Sequence, residues 1–220
     1  MVAVEREYKA GRKHYLDNIR WGTVLVVLVY HVFYLYNTVG VPFPIAQDAG
    51  LRTFDIFPYI VYPWFMVILF LIAGISARYA LQKRTNREFL KDKVTKLLVP
   101  STLGLFVYHW ISGFINLKLG GGLDVIPSFI RYPVLVISGI GPLWFIQMLF
   151  LFSVLLVLIR KVDKKDEIWT FCRKINIVVI LLLVLLIWGA AQILNLPVLT
   201  TYRFGIYGTA YLIGYFVFSH

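Results

Sequence analysis

The sequence predicts an all-α, polytopic transmembrane bundle of about six spans, and three observations carry that prediction. The first is composition: of 220 residues, 60% are hydrophobic and only 15% are charged, with a mean hydropathy of +0.76. A water-soluble domain carries about 25% charged residues. The second is clustering, because residues 21–47, 56–77, 97–117, 132–159, 175–202 and 204–220 contain no Asp, Glu, Lys or Arg. Crossing a hydrocarbon core of roughly 30 Å takes about 20 helical residues, so most of these runs suffice and the last is marginal. The third is charge asymmetry. Of 22 Lys and Arg, eighteen lie in residues 6–20, 78–96 and 160–174, leaving Arg52, Lys118, Arg131 and Arg203 for the alternate connections. The positive-inside bias then places the N-terminus and both basic connections in the cytoplasm of a multi-pass cell-membrane protein.

The first span is expected at 17–36, closing at Asn37 and the Gly-Val-Pro-Phe-Pro turn that starts at Gly40. About 20 mostly polar residues precede its apolar run from Trp21, a pattern unlike a cleaved signal peptide. The second span, 58–80, opens on Pro58 and Pro63 with Tyr59, Tyr62 and Trp64 as an interfacial belt, and Gly74, Ser76 and Ala77 offer a small face for close packing. Residues 81–96 form a basic cytoplasmic segment, read as a short surface helix with Phe89, Leu90, Val94, Leu97 and Leu98 toward lipid. The third span, 97–117, carries Pro100 in its first turn and stops before Gly120-Gly121-Gly122. A short interfacial helix is expected around 127–132, then spans at 143–159, 175–194 and 204–219. The last is short and looks truncated. The whole reads as one membrane domain, 1–220.

The net charge of +11 flanks the spans, where anionic lipid headgroups lie, so membrane lipid rather than nucleic acid is the expected partner. The single cysteine, Cys172, cannot form an internal disulfide. No Cys/His/Asp cluster has metal-ligand spacing, and the glycine triplet lacks the Lys-Ser/Thr of a phosphate loop.

Two sets of residues could carry chemistry. Arg20 and His31 are eleven apart on the first helix, about 20° from superposition and roughly 16 Å along the axis, with Asp17 on the same stripe. If Arg20 marks the headgroup boundary, His31 sits near mid-membrane. There an ionisable group should face the bundle interior or a water-filled cavity, as a general base or as a packing hydrogen-bond former. Arg20 is equally readable as an interfacial anchor paired with Asp17. The second set lies in the basic segment: Arg84, Arg87, Lys93 and Lys96 are either lipid-facing charge or counter-charges for a phosphate-bearing ligand. His109, Trp144 and Gln147 are further candidate lining residues, with interhelical hydrogen bonding or an interfacial belt as the plainer readings.

The blocks that hold these residues are YLDNIRWGTVLVVLVYHVFYLYN, FLIAGISARYALQKR, EFLKDKVTKLLVPSTLG and GPLWFIQMLFLFS. In this order they resemble the acyltransferase 3 family of integral membrane acyltransferases, and most nearly its glucan-modifying branch, the glucans biosynthesis protein C type. The chain corresponds to the N-terminal part of such a protein. The resemblance implies transfer of an acyl group from a cytoplasmic donor, commonly acyl-CoA as co-substrate, to a hydroxyl of an extracytoplasmic carbohydrate. It places the family's first-helix Arg and His on Arg20 and His31. An Arg-x-x-Arg pattern tied to donor binding falls on Lys93 and Lys96, which keep the charge but not the guanidinium fork. The Leu-Trp-Phe block falls on Leu143, Trp144 and Phe145. The alternative expectations are a transporter or scaffold subunit for a lipid-linked sugar, or an inactive fragment completed by an oligomeric partner or by further C-terminal helices.

Overall fold

A computed structural model describes residues 13–36, 38, 52–119, 121–139, 141, 143–195 and 203–220. Among these residues every regular element is helical. α1 is His14–Leu35; a 3₁₀ turn, Arg52–Phe54, leads into α2, Ile56–Val61, and α3 is Phe65–Lys83. α4 occupies 86–119, α5 is Ser128–Ser138, α6 Leu143–Val162, α7 Glu167–Cys172, α8 Ile177–Leu194 and α9 Phe204–Phe216. Five stretches are long and apolar enough to cross a membrane: His14–Tyr34, Arg52–Lys83, Asn86–Lys118, Leu143–Val162 and Ile177–Leu194. The chain is a multi-pass membrane protein.

The expected sixth span is not among these five stretches: α9 has 13 helical residues, about 20 Å of rise. It is nevertheless the most enclosed helix, with Gly205, Tyr207, Gly208, Ala210, Tyr211 and Ile213 to Phe216 buried against α3, α6 and α8. Glycine permits that depth. A Cβ on Gly74 would collide with the carbonyl oxygen of Tyr211, and one on Gly214 with that of Leu71, so α3 and α9 cross backbone to backbone. The small face expected around Gly74 is this contact. Phe70, Phe152, Leu156, Tyr211 and Tyr215 fill the surrounding core.

Two other expectations change. The basic segment is no separate surface helix: α3 runs on to Lys83, the chain breaks only at Arg84-Thr85, and α4 starts at Asn86 and continues into the third span. Thr85 and Glu88 make a reciprocal capping box that supports so abrupt a restart. Phe89, expected toward lipid, is instead 1% exposed within the core, because α6 covers that face. Leu90 packs behind it. The interfacial helix expected at 127–132 extends to Ser138 and lies along the end of α4, where Gly113 and Gly139 allow the backbones to touch.

α4 is irregular for a visible reason. Pro100 has no N–H and crowds the preceding turn, and the ladder widens to π geometry at Val94–Leu98, with Val99 N–H reaching the Val94 carbonyl. A second π turn, Leu105–His109, follows. The Tyr132 hydroxyl donates to the Phe106 carbonyl there at 2.7 Å. The turn expected from Gly40 and the end of the fifth span at Pro197 fall outside the described residues.

Candidate active site

α1 packs on α3 through one narrow stripe: Leu16, Thr23 and Tyr30, seven residues apart, are its buried positions. His31 is one residue, about 100°, around from Tyr30, so it emerges on an exposed face rather than inside the described bundle, where it was expected. Its ring meets Tyr30 edge-on with centroids 5.4 Å apart, and its Nδ1 lies 2.7 Å from the Val27 carbonyl oxygen. A carbonyl only accepts, so Nδ1 carries a proton and, in the neutral imidazole, Nε2 has the lone pair. Arg20 is exposed on the same side of the helix. It pairs with Asp17 at 3.6 Å and donates to the Ser76 hydroxyl of α3 at 2.7 Å, while Ser76 donates to Ile72.

Arg20 meets the basic segment in space. From Asn86 to Lys118, α4 has 33 residues, about 50 Å against a core of roughly 30 Å, so its turns up to Lys96 project beyond the hydrocarbon. Burial pushes the Lys93 ammonium below the ordinary lysine value; Asp92 opposes that, and repulsion from Arg20, Lys96 and Arg84 adds to it. These four cations therefore share one field. Asp92 accepts from Lys96 at 2.7 Å and lies 3.3 Å from Arg84, Asp17 pairs with Arg20, and Glu88 interacts with Arg84. The Lys96 ammonium, joined by Arg84 and Lys93, holds the Asp92 carboxyl below its ordinary range. Lys93 lies over the Phe89 ring at 5.1 Å. The four cations outnumber Asp17, Glu88 and Asp92 around them, an arrangement suited to an anion. Arg87 is exposed on the same helix.

The other expected lining residues scatter. His109 is buried at the second π turn beside α5, with no hydrogen bond to Nδ1 among the described residues. Trp144 is half-buried and packs against the core through Phe70 and Tyr207, with centroids 6.3 and 5.5 Å away. Gln147 is half-buried on α6. Cys172 packs at the core edge, and burial pushes its thiol above the ordinary value, away from reactivity.

Two polar groups escaped sequence reasoning. Arg78 is buried in α3, 3.1 Å from both Asp166 and the Tyr215 hydroxyl, with its guanidinium 4.3 Å over the Trp169 ring. Arg160 donates to the same Tyr215 hydroxyl at 2.5 Å. Arg78 sits five residues inside the next cation, Lys83, a depth that could have marked it as more than an anchor. At the opposite end of the helices Tyr30, Tyr34, Tyr62 and Tyr207 gather with Arg203, which lies 4.9 Å over the Tyr62 ring.

A multi-pass helical membrane protein with an open histidine on one helix and a cluster of cations at its foot is the class this geometry defines. The chain belongs to the acyltransferase 3 family: the family model Acyl_transf_3, acyltransferase domain, matches residues 13–220. Comparison with curated proteins and with solved structures finds no match.

Proposed function

We propose that this protein is a membrane-bound O-acyltransferase that moves an acyl group from a cytoplasmic donor, acyl-CoA, to a hydroxyl of an extracytoplasmic carbohydrate such as a glucan or surface polysaccharide. The observation that carries the reading is the exposed face shared by Arg20 and His31, with Arg20 in the electrostatic field of Lys93, Lys96 and Arg84. Charge asymmetry puts that end in the cytoplasm. Arg20, Lys93, Lys96 and Arg84 hold the donor's phosphates, and the acyl thioester extends along α1 toward His31.

His31 is the general base. Its Nε2 takes the proton of the acceptor hydroxyl as that oxygen attacks the thioester carbonyl carbon. The new C–O ester bond forms, the C–S bond breaks, and the departing thiolate receives the proton from the imidazolium, leaving a free thiol and neutral His31. No redox step is involved.

The test is donor use by the full chain in proteoliposomes, supplied with radiolabelled acetyl-CoA outside and a neutral gluco-oligosaccharide inside. Label appearing on the oligosaccharide together with free thiol supports the enzyme. Oligosaccharide flux with no thiol released supports a transporter and rejects acyl transfer.

A further inference from the structure

The tyrosine group at the far end of the bundle has the features of a binding site for hydroxyl-rich ligands. Tyr30 and Tyr207 are 8% and 5% exposed, yet among the described residues neither hydroxyl, nor that of Tyr62, has a hydrogen-bond partner. Tyr62 is 39% exposed, and none of the three hydroxyl oxygens is enclosed without a partner, so they remain open to a ligand. The group draws on three separate parts of the fold. Tyr30 stacks on Tyr34, centroids 5.7 Å apart, and on Tyr62 at 6.1 Å, while Tyr207 stacks on Phe70 at 4.8 Å. The Tyr30 hydroxyl lies within electrostatic reach of Tyr34, Tyr62, Tyr207 and Arg203. Arg203, one turn before Tyr207 on the same face, is seated over Tyr62, and no carboxylate among the described residues pairs with it.

An interfacial aromatic belt would turn these rings outward. Tyr59 and Trp64 behave that way: both are exposed, and Trp64 Nε1 donates to the Ile60 carbonyl one turn back. Tyr30 and Tyr207 turn inward. Phenolic hydroxyls both donate and accept, which matches a sugar hydroxyl, whereas a phosphate only accepts and calls for more than one cation. The group adjoins His31 through Tyr30 and lies beyond it from Arg20.

We infer that Tyr30, Tyr62, Tyr207 and Arg203 form the subsite that holds a neutral carbohydrate acceptor, presenting one of its hydroxyls to His31. This rests on the acyl-transfer reading for its role, but its binding can be measured without acyl transfer.

The experiment titrates the full chain in detergent with a neutral, soluble β-gluco-oligosaccharide, following tryptophan fluorescence, since Trp144 lies beside Tyr207. The Tyr30→Phe, Tyr207→Phe and Arg203→Gln variants keep the ring packing or the shape and remove only polar groups. The expected result is saturable binding by the wild type, weakened about tenfold or more in each variant, as loss of one hydrogen bond to a fixed hydroxyl does. Unchanged affinity in the variants, or a response to inorganic phosphate in place of the oligosaccharide, overturns the proposal. Binding weakened as expected in a protein that transfers no acyl group leaves the subsite standing and rejects the enzyme reading. Acyl transfer with an acceptor KM that none of the three variants alters does the reverse.

Discussion

Arg78 of α3 and Asp166 at the start of α7 form an ion pair of 3.1 Å across 88 residues of chain. The pair is lopsided, since the Arg78 side chain is 8% exposed and that of Asp166 37%. Asp166 also adopts a left-handed backbone, φ 53°, which asparagine tolerates. Asp166→Asn therefore removes the charge with little backbone strain and leaves a buried guanidinium with only Tyr215 and Trp169. A cost of about 2–3 kcal/mol is expected, toward the lower end for breaking a buried pair because those contacts remain. Arg78→Met, which removes the buried charge and leaves a carboxylate that water can reach, should cost less. Thermal unfolding in detergent measures both, and equal or reversed losses would contradict the account.

The α3–α9 crossing makes a second prediction. Gly74→Ala and Gly214→Ala each drive a methyl into a facing carbonyl that belongs to a helix backbone and cannot swing aside. Each should destabilise the protein by about 1–3 kcal/mol or more. Gly22→Ala, at a position where a Cβ meets nothing within 4 Å, is the matched control and should leave the melting temperature unlowered. The comparison is a set of melting curves in one detergent.

The cationic group predicts unequal effects on donor binding. Lys96 is already paired with Asp92, whereas Lys93 is the more enclosed and makes no direct carboxylate contact among the described residues. Lys93→Gln should raise the donor KM about tenfold, Lys96→Gln by less, and Arg87→Gln hardly at all. Steady-state kinetics with the donor varied at saturating acceptor reads this order.

Asp92 gives a pH dependence. Its folded carboxyl titrates below the ordinary aspartate value because Lys96 and Arg84 hold it ionised. The stabilisation is thus fully present above the unfolded value, about 3.9, and disappears as pH falls through the lower folded value. At pH near 7 the wild type should exceed Asp92→Asn by about 1 kcal/mol or less, typical of a partly exposed pair. The gap should close below pH about 4, as read from melting temperatures of the two proteins across that range.

Five apolar spans and the concentration of charge between them were legible because apolar run length and charge position are local signals. What covers a given face is a non-local matter, and there the reading failed. Phe89 is apolar and amphipathically placed, but only α6 decides that it meets protein rather than lipid. Trp144 reads as a belt aromatic, but its contact with Tyr207, over sixty residues on, ties it to the core edge. The alignment of Arg20 and His31 followed from helix geometry alone. Their approach to Lys93, the pairing of Arg78 with Asp166 and the gathering of Tyr30, Tyr62 and Tyr207 did not, since each joins separate helices.

The central claim is that His31 is the base for acyl transfer, and its removal tests that most directly. His31 is exposed and, among the described residues, its polar bond is to its own helix, so His31→Ala should fold and melt like the wild type. With acetyl-CoA and the gluco-oligosaccharide both saturating, the account predicts a fall in kcat of roughly 10²–10⁴-fold, the range for loss of a positioned base, with the donor KM little changed. A variant that folds and transfers label at the wild-type rate would contradict it.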